Sequence, residues 1–399
     1  MNHRLNHITE RNISVANRST SRIINQKTLL DIICESDGIS KTDLANILGL
    51  SKPAVSKNVD DLISMGLIEE RGEGKAGKNG GRKPILLHFN PTYCYICVLD
   101  ISTEIPVCAI GDLNHRILRV EKMHIDRNSS ADKKKTTVTK TIENLMKSLN
   151  ASAEKLEYIV ISHPGIIGKD GEAFFTEVRH HPWTEIGLKP YLEQNLHIPV
   201  MLKNNVRLAS IGEMYMGTDS LLNDLIYVDC SIGLGSSIIM NRKLHEGSNY
   251  AAGEMGYFLM SNGQRAEDLI AMDSLITRIA KLYKENGLSE ERLSFREIVN
   301  RSRSGDILVN QVLREIGREL GRIIFDCSIF VDIPTVIFGG DYLKLGPALF
   351  EGIEETVSQD LLPFRPNVVK SSLREAAGIF GGLVVGRDEI LQKKLSKVV

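Results

Sequence analysis

The feature that most constrains the fold of this 399-residue chain is a regular alternation that begins near residue 91. From there, short apolar runs typical of strands alternate with longer stretches whose apolar residues recur at helical spacing. The strand-like runs cover residues 94–101, 106–112, 157–162, 225–230, 236–240 and 335–338. The helical stretches cover residues 132–149, 185–195, 205–215, 266–285, 308–330, 345–360 and 373–393. This alternation predicts layered α/β structure, which we divide into two lobes, residues 91–215 and 216–399.

The first 90 residues have a different pattern, and we interpret residues 1–90 as a separate domain. Three helices are predicted, over about 23–35, from Ser40 to Gly49 and from Ser51 to Gly66. The last two begin with a serine that can cap free backbone N–H groups and end at a glycine. Two short strands and the Gly-rich loop between them follow, at 67–70, 84–89 and 71–83. A helix, a turn, a helix and a two-stranded wing in this order are typical of a winged helix-turn-helix.

The net charge of the chain hides a local excess of basic residues. The whole chain has 49 Lys and Arg against 50 Asp and Glu, a formal charge of −1, which by itself argues against a nucleic-acid-binding protein. Residues 1–90, however, hold 13 basic residues against 10 acidic ones, and the loop 71–83 holds five against one. Basic charge therefore lies in the polar amino-terminal arm and in the wing, where it would face DNA phosphates.

The candidate DNA contacts lie on the third helix and in the wing. The second helix of such a motif enters the major groove, where Lys binds guanine or phosphate, Asn binds adenine and Ser binds phosphate. The candidates are Ser51, Lys52, Pro53, Ser56, Lys57 and Asn58 on the helix, and Lys75, Lys78, Arg82 and Lys83 in the wing. The alternative is a helical hairpin with a solvated basic loop, but the order of the elements favours double-stranded DNA as the partner.

The six cysteines are too few and too scattered for a disulfide scaffold. Cys94 and Cys97 have the spacing of a redox or half-zinc motif, yet their apolar context favours two ordinary strand residues. No apolar segment reaches membrane-spanning length, and the first residues are polar. We therefore expect a cytoplasmic protein that has no membrane partner.

Short motifs occur along the whole chain. Each is a weak signal by itself, but their order and spacing together are specific. In the first domain they are residues 22–30, 38–45, 49–57 and 80–84. In the remainder they are Asp100-Ile101, Asp112-Leu113, His163-Pro164-Gly165, Trp183, 204–213, 231–235, 251–256 and Gly339-Gly340. Together these motifs resemble those of the ROK-family repressors, which include the bacterial xylose and N-acetylglucosamine repressors. The resemblance implies an N-terminal winged helix-turn-helix followed by a two-lobed, actin-like ATPase domain of the ribonuclease H-like α/β type, whose C-terminal helix packs back on the first lobe.

The chain departs from the sugar kinases of that family at the positions that handle phosphate. The first phosphate loop, 100–104, has side chains in place of two glycines and Glu104 in place of a hydroxyl, and the second has Ile232 in place of a threonine. The resemblance places the catalytic base at Asn205, whose amide cannot accept a proton at neutral pH. We therefore expect sugar binding without enzyme activity, and no ATP as cofactor.

The structural zinc of the family is not expected either. Zinc-bearing members have a His followed by a cluster of three cysteines, whereas this chain has Tyr257 at the His position and no cysteine between Cys230 and Cys327. A shortened segment, 261–267, replaces the cluster. Tetrahedral zinc needs thiolate or imidazole ligands that this segment does not supply.

The resemblance implies a sugar site in the cleft between the lobes. Carried over by position, its polar residues are Asn204, Asn205, Glu254, Tyr257 and Glu267. Amides and carboxylates match the donors and acceptors of vicinal sugar hydroxyls, and a Tyr in place of the His would suit an effector larger than one hexose. Gly165, His180 and Trp183 complete the set, with Arg179 and His181 beside them. Trp183 is either a platform for a sugar ring or a core aromatic, and its polar neighbours either contact the ligand or form a solvated loop.

These features together predict a sugar-responsive repressor of carbohydrate-utilisation genes. We expect a homodimer or tetramer, with its dimer contacts in the second lobe, on a palindromic operator. Sugar in the cleft, acting as an inducer, would change the spacing of the winged helices and release the DNA. Two alternatives stay open here: a sugar kinase with an extra domain, and a DNA-binding protein whose second domain only dimerises.

Overall fold

The computed structural model describes residues 18–74, 83–103, 105–126, 128–175, 183, 186–218, 222–288, 293–358 and 365–396. These residues form a small amino-terminal domain and two five-stranded sheets with their helices. Within the described ranges, no helix is both long and apolar enough to cross a membrane.

The amino-terminal domain has three helices and a three-stranded antiparallel sheet. Its elements are α1 (Arg18–Glu35), β1 (Ile39–Ser40), α2 (Lys41–Leu48), α3 (Lys52–Ser64), β2 (Ile68–Glu73) and β3 (Ile85–Phe89), and the strand order is β1-β3-β2. The Ser40 hydroxyl accepts a hydrogen bond from the Asp43 N–H, and the Ser51 hydroxyl accepts one from the Ala54 N–H. Gly49 ends α2 with a φ of 63°, in the left-handed region that glycine adopts readily. Both predicted caps are confirmed, and they set the turn between α2 and α3.

The first lobe is built on a sheet with the strand order β10-β7-β4-β5-β6. Its elements are β4 (Tyr95–Asp100), β5 (Val107–Asp112), β6 (Ile117–Lys122), α4 (Ala131–Ser148), β7 (Leu156–His163), β8 (Ile166–Ile167), β9 (Ala173–Phe175), α5 (Leu188–Leu196), β10 (Val200–Asn204) and α6 (Asn205–Met216). The central strand β4 pairs antiparallel with β5 and parallel with β7. β8 and β9 form a separate small hairpin.

The second lobe repeats this arrangement, with the strand order β13-β12-β11-β14-β15. Its elements are β11 (Leu225–Cys230), β12 (Leu234–Met240), β13 (Lys243–Leu244), α7 (Ala266–Ile270), α8 (Met272–Glu285), α9 (Phe295–Arg303), α10 (Ile307–Val331), β14 (Thr335–Gly339), α11 (Ala348–Val357) and β15 (Asn367–Lys370). β11 pairs antiparallel with β12 and parallel with β14, as β4 does with β5 and β7. The repeated order is that of a two-lobed, ribonuclease H-like protein, so the predicted fold class is confirmed.

Within the two five-stranded sheets, the strands without a predicted counterpart are the edge strands. β6, β10, β13 and β15 lie at the four sheet edges. An edge strand need not be apolar along its whole length, and charged side chains there discourage pairing with other chains. The predicted helix 266–285 is in fact two helices, because Ala271 between them is extended, with a ψ of 160°. α9 was also not expected, since its sequence is short and rich in charge.

The last helix, α12 (Ala377–Ser396), joins the first lobe to the amino-terminal domain. It lies so close to α6 that a Cβ atom added at Gly381 would be 1.8 Å from the Leu208 carbonyl oxygen. Farther along, Leu391 of α12 belongs to the same buried cluster as Leu30 of α1. One hydrophobic core therefore runs from α6, through α12, into the amino-terminal domain.

Candidate DNA-binding and effector sites

The first two turns of α3 present polar groups at the surface of the amino-terminal domain. Ser51, Lys52, Pro53 and Lys57 are exposed, whereas Ser56 is half-buried, with its hydroxyl 3.4 Å from the Asp60 carboxylate. The opposite face of α3 is buried in the domain core through Val55, Val59 and Leu62. The two lysine ammonium groups are thus free to meet phosphates or base edges in a major groove.

Asn58 does not face outward as we expected. Its side chain is 9% exposed, and its amide donates a 2.9 Å hydrogen bond to the Ala54 carbonyl oxygen. Helical spacing is the reason, because Asn58 follows Val55 by three residues and precedes Leu62 by four, which places it on the buried face. The structure therefore corrects our expectation that Asn58 contacts a DNA base: the Asn58 side chain supports the packing of α3.

Part of the wing lies in the described chain. Lys83 is exposed, and its ammonium group is 3.4 Å from the Glu73 carboxylate at the end of β2. A surface ion pair of this kind is worth little, so Lys83 can exchange Glu73 for a phosphate. Lys75, Lys78 and Arg82 lie outside the described residues, as does the basic arm before residue 18.

In the cleft, the two asparagines of the predicted site have different surroundings. The Asn204 side-chain oxygen Oδ1 accepts a 3.0 Å hydrogen bond from the Arg207 N–H and so caps α6, while the side-chain nitrogen Nδ2 donates to the Gly165 carbonyl oxygen at 2.9 Å. Asn204 thereby fixes the loop at Gly165, which has a φ of 125°, to the start of α6. Asn205 is half-buried, and no group among the described residues hydrogen-bonds its amide. Asn205 is the member of the pair that is available to a ligand.

Glu254 lies on the second-lobe side of this site, just before a 3-10 turn at Met255–Tyr257. Burial raises the pKa of its carboxyl, the Arg207 guanidinium opposes that rise, and the charge of Glu267 adds to it. The preceding Gly253 has a φ of 87° and packs closely on the backbone of β12, where the Ser236 hydroxyl donates to its carbonyl oxygen. The backbone at Gly253 thus holds Glu254 at a fixed place beside β12.

Glu267 is the second carboxylate that the structure brings to this site. It lies in the first turn of α7 and accepts a 3.3 Å hydrogen bond from the Leu234 N–H. Burial raises its pKa, while this hydrogen bond and the charge of Arg265 oppose the rise. Glu254 and Glu267 are therefore close enough to influence each other, although 13 positions separate them in sequence.

Tyr257 borders the two carboxylates. Its side chain is 36% exposed, and the Arg265 guanidinium carbon lies 5.7 Å from the centre of its ring. Burial, followed by the charges of Glu254 and Glu267, raises the pKa of Tyr257 to about 12. The phenol is therefore neutral at pH 7 and can both donate and accept a hydrogen bond.

The segment after Tyr257 is a hairpin. The Ala266 N–H donates to the Phe258 carbonyl oxygen, and the Met260 N–H donates to the Gln264 carbonyl oxygen, both at 2.8 Å. In the part of the chain that the structure describes, no group of three His, Cys, Asp or Glu side chains is placed to hold a metal ion. The donors at this position are thus a phenol and hairpin backbone groups, which are not the ligands of a tetrahedral zinc ion.

Trp183 is placed in the core of the first lobe. Its side chain is 4% exposed and packs in a buried cluster with Leu188 and Leu192, and the Lys134 ammonium group lies 5.9 Å from the ring centre. A ring buried in this way cannot be a platform for a sugar, so the core alternative describes Trp183 better. His180, with Arg179 and His181, lies outside the described residues.

Arg207 lies within the motif 204–213, but it was not among the predicted site residues. It is 4% exposed, its Nη2 donates to the Tyr250 carbonyl oxygen at 2.5 Å, and its Nη1 lies 3.8 Å from a Glu246 carboxylate oxygen. Burial lowers the pKa of Arg207, and the charges of Glu246 and Glu254 oppose that fall. Arg207 therefore connects α6 of the first lobe to the second-lobe loop that leads to Glu254. Its position one helical turn after Asn204 was the available sequence signal.

In the two loops that correspond to the phosphate loops of the kinases, the serine hydroxyls donate hydrogen bonds to aspartates of the protein itself. The Ser102 hydroxyl donates to Asp100 at 2.6 Å, and the Ser231 hydroxyl donates to Asp229 at 2.8 Å. Burial raises the pKa of Asp229 to about 6, the Ser231 hydrogen bond opposes this rise, and the charges of Asp341 and Asp100 add to it. Three carboxylates thus share this part of the cleft, which disfavours a polyphosphate. Glu104 lies outside the described residues, and Ile232 is 45% exposed.

Other proteins are similar to this chain over most of its length. It is 26% identical over 380 residues to the xylose repressor of Bacillus spizizenii, an alignment that covers 92% of this chain and 96% of the relative. Its fold is similar to the crystal structure of a ROK family transcriptional regulator, a homolog of the E. coli MLC protein. The TM-score is 0.76 at 19% identity, with coverage of 94% of this chain and 99% of that one.

The body without the amino-terminal domain also has the fold of a kinase. A ROK family glucokinase from Streptomyces griseus, solved with glucose and AMPPNP, matches with a TM-score of 0.62 at 21% identity, over 74% of this chain and 99% of that one. Residues 21–78 match the profile of the MarR family, and residues 96–389 match that of the ROK family. Since the second match spans well over half of the sequence, the chain belongs to the ROK family.

Proposed function

We propose that this chain is a sugar-responsive, DNA-binding transcriptional repressor of carbohydrate-utilisation genes. The observation that carries the proposal is the hydrophobic core that joins α3, the helix that exposes Lys52 and Lys57, to α6, the helix that begins in the cleft. The alignment with a xylose repressor over 92% of this chain supports the same conclusion.

DNA binding rests on α3, whose exposed Lys52 and Lys57 lie on one side of a well-packed domain. A homodimer would place two such helices in successive major grooves, about 34–36 Å apart, on a palindromic operator. Phosphate contacts from the lysines and from the wing would supply most of the affinity. The lysines nearest the start of α3 would contribute most to sequence preference, because the amino-terminal end of a recognition helix contacts base edges.

Sugar binding rests on Asn205, Glu254 and Glu267, which are one amide and two carboxylates. Glu267 is close enough to Glu254 to raise its pKa, and Arg207, on the same helix as Asn205, is close enough to lower it. Charged carboxylates accept hydrogen bonds from hydroxyls, and an amide both donates and accepts, so the set matches neighbouring hydroxyls on a sugar ring. Their partial burial strengthens each hydrogen bond, since the local dielectric constant is lower than that of water.

Phosphoryl transfer is not part of the proposed function, although the fold is that of a kinase. Asn205 stands where the family has its general base, and an amide cannot take the proton of a sugar hydroxyl. The hydroxyls of Ser102 and Ser231 are turned toward carboxylates, so the loops do not fit the phosphates of ATP. The donors after Tyr257 do not fit zinc. We therefore propose a regulator that uses neither ATP nor zinc.

The route from the cleft to the DNA is α6, α12 and α1. Between α6 and α12 the contact is backbone to backbone at Gly381. α12 contacts α1 through Asp388, 3.1 Å from Lys27, and Arg387, 3.4 Å from Asp31. A sugar that binds one arrangement of the lobes more tightly would shift α6 and, through α12, the winged helix. Release of DNA by the sugar, which makes the sugar an inducer, is the direction we propose.

The DNA-binding part of the proposal can be tested with operator fragments selected from genomic DNA by the protein itself. Lys52→Ala with Lys57→Ala should weaken binding at least about tenfold and reduce the salt slope by about 2, because each phosphate contact contributes about 1. Fluorescence anisotropy at several salt concentrations measures both. Lys133→Ala with Lys140→Ala, two exposed lysines on α4, is the matched control. Equal binding by the two double variants would contradict the role of α3.

The effector part is tested by adding xylose, N-acetylglucosamine or glucose to the wild-type protein on its operator. At least one sugar should lower operator affinity and also raise the melting temperature of the free protein. If no sugar does either, the second domain is a scaffold for dimerisation. Sugar-dependent ADP formation in a coupled assay would instead establish the kinase alternative.

A further inference from the structure

A cavity lies between the two lobes, lined by residues of both. It has a volume of about 260 Å³ and lies between the β8–β9 hairpin, the end of β10 and the second-lobe loop that carries Glu246 and Tyr250. Pockets for drug-sized molecules have about 300–1,000 Å³. The size of this cavity therefore suits one sugar unit.

Three charged side chains converge on the cavity without hydrogen-bonding one another. The Lys203 ammonium lies 3.9 Å and the Arg207 Nη1 lies 3.8 Å from the same carboxylate oxygen of Glu246. Both distances exceed those of a hydrogen bond. Arg207 is fixed by its bond to the Tyr250 carbonyl oxygen, whereas the side chains of Lys203 and Glu246 are 33% and 38% exposed and can turn toward a ligand.

The other walls of the cavity suit a neutral, hydroxyl-rich ring. Ile167, Met201 and Leu202 line it and offer apolar surface to the C–H face of a pyranose. Lys169 and Asp170 add one charge of each sign, so the charges in the cavity nearly cancel. Alternating donors and acceptors with little net charge match vicinal hydroxyls better than they match a phosphate.

Two residues of the cavity lining are also neighbours of the effector site. Asn204 lines the cavity and directly precedes Asn205, and Arg207 lines it while lying close enough to Glu254 to influence its pKa. The cavity is therefore the place where a second unit would follow a ring held by Asn205 and Glu254.

We propose that this cavity is a subsite for a second sugar unit, so that the effector is an oligosaccharide of at least two units. The inference rests on the proposed function, because it assigns a first unit to the effector site. Lys203 is the residue that distinguishes the two subsites, since it lines the cavity and is not among the residues of the first site.

The experiment compares monosaccharides with their disaccharides by isothermal titration calorimetry on the full-length protein. The pairs are xylose with xylobiose, N-acetylglucosamine with chitobiose, and glucose with cellobiose and with maltose. At least one disaccharide should bind more tightly than its monosaccharide, by a factor of about ten or more. This gain in affinity is the one expected from one or two hydrogen bonds to charged groups. Lys203→Ala should remove that gain and leave the monosaccharide Kd within about twofold, whereas Lys140→Ala, an exposed lysine of the same lobe, should preserve it.

Each outcome of this comparison has one meaning. Equal affinity for the two members of every pair that binds overturns the subsite and leaves the proposed function in place. An equal loss of monosaccharide and disaccharide affinity in Lys203→Ala also overturns it, because the lysine would then act on the first site. If no sugar of either length binds, the proposed effector function itself fails, and the subsite with it.

Discussion

The recognition helix and the effector cleft of this protein are both polar, but they are built in opposite ways. On α3, Lys52 and Lys57 are exposed and the apolar side of the helix is buried. In the cleft, Glu254 and Glu267 are partly buried, and burial raises the pKa of each carboxyl. Exposed charge attracts DNA at long range and is sensitive to salt, whereas buried carboxylates depend on their placement and their protonation state. Salt should therefore perturb DNA recognition, and pH should perturb sugar recognition.

The largest effect is expected where the two regions are joined. Gly381→Leu should cost about 3 kcal/mol or more of the free energy of unfolding, because a Cβ atom there meets the Leu208 carbonyl oxygen at 1.8 Å. DNA binding and sugar binding should then be lost together. Chemical denaturation measures the cost.

Gly378→Ala is the matched control on the same helix. Its added Cβ would have its nearest neighbour, an Asp100 carboxylate oxygen, at 3.8 Å, which is an ordinary contact. This variant should be as stable as the wild type or slightly more so, since alanine favours a helix over glycine. If both variants were equally stable, the close contact between α6 and α12 would not be needed to join the regions.

The next largest effect should be a loss of sugar binding in the cleft without a loss of DNA binding by the recognition helix. Glu254→Gln should weaken sugar binding about tenfold to a hundredfold, because hydrogen bonds to a charged carboxylate contribute about 1.5–3 kcal/mol. Operator affinity without sugar should remain within about twofold of the wild type. Calorimetry and anisotropy measure the two affinities, and Glu143→Gln, an exposed position on α4, is the control. An equal loss of DNA binding would show that Glu254 serves the fold and not the ligand.

A smaller effect is expected from pH. Since burial raises the pKa of Glu254 and Glu267, both take up a proton at a higher pH than an exposed glutamate, whose pKa is about 4.3. Protonation removes the charged acceptor, so sugar affinity should fall as the pH drops through these raised pKa values. Operator binding without sugar should change less in that interval, because neither of these carboxylates lies on α3. In Glu254→Gln the fall should be shallower, and an unchanged profile would assign the titration to another group.

The smallest effect is expected at Asn58, the asparagine on the buried face of α3. Asn58→Ala should lower the free energy of unfolding by about 1 kcal/mol, through loss of the hydrogen bond to the Ala54 carbonyl oxygen. The base preference of the selected operator sequences should stay the same. A changed base preference at unchanged stability would show that Asn58 contacts DNA.

Much of the fold was predictable because it depends on near neighbours in the sequence. The caps at Ser40 and Ser51 and the turn at Gly49 follow from local hydrogen bonding. The central strands are apolar on both faces and stand out by composition. The edge strand β6 does not, because its side chains are half-exposed or exposed along its length.

The candidate site was predictable in its chemistry but not in its geometry. Motif order brought Asn205, Glu254 and Glu267 together, yet Asn204 and Trp183 are used inside the protein. Arg207 lies within the motif 204–213 but was not named as a site residue, although the charges of Glu246 and Glu254 both act on it. Which polar groups stay available depends on contacts between segments that are far apart in the chain.

The sequence by itself determined the class of this protein, because periodicity, caps and the chemistry of each residue are local properties. It determined a basic winged helix before an α/β body and an amide where a kinase of the family has its base. The tertiary structure was needed to show that one core joins α1, α12 and α6, and that Asn204 and Arg207 line a cavity between the lobes. Those features depend on packing across more than a hundred residues, where burial and distance are set by all the segments together.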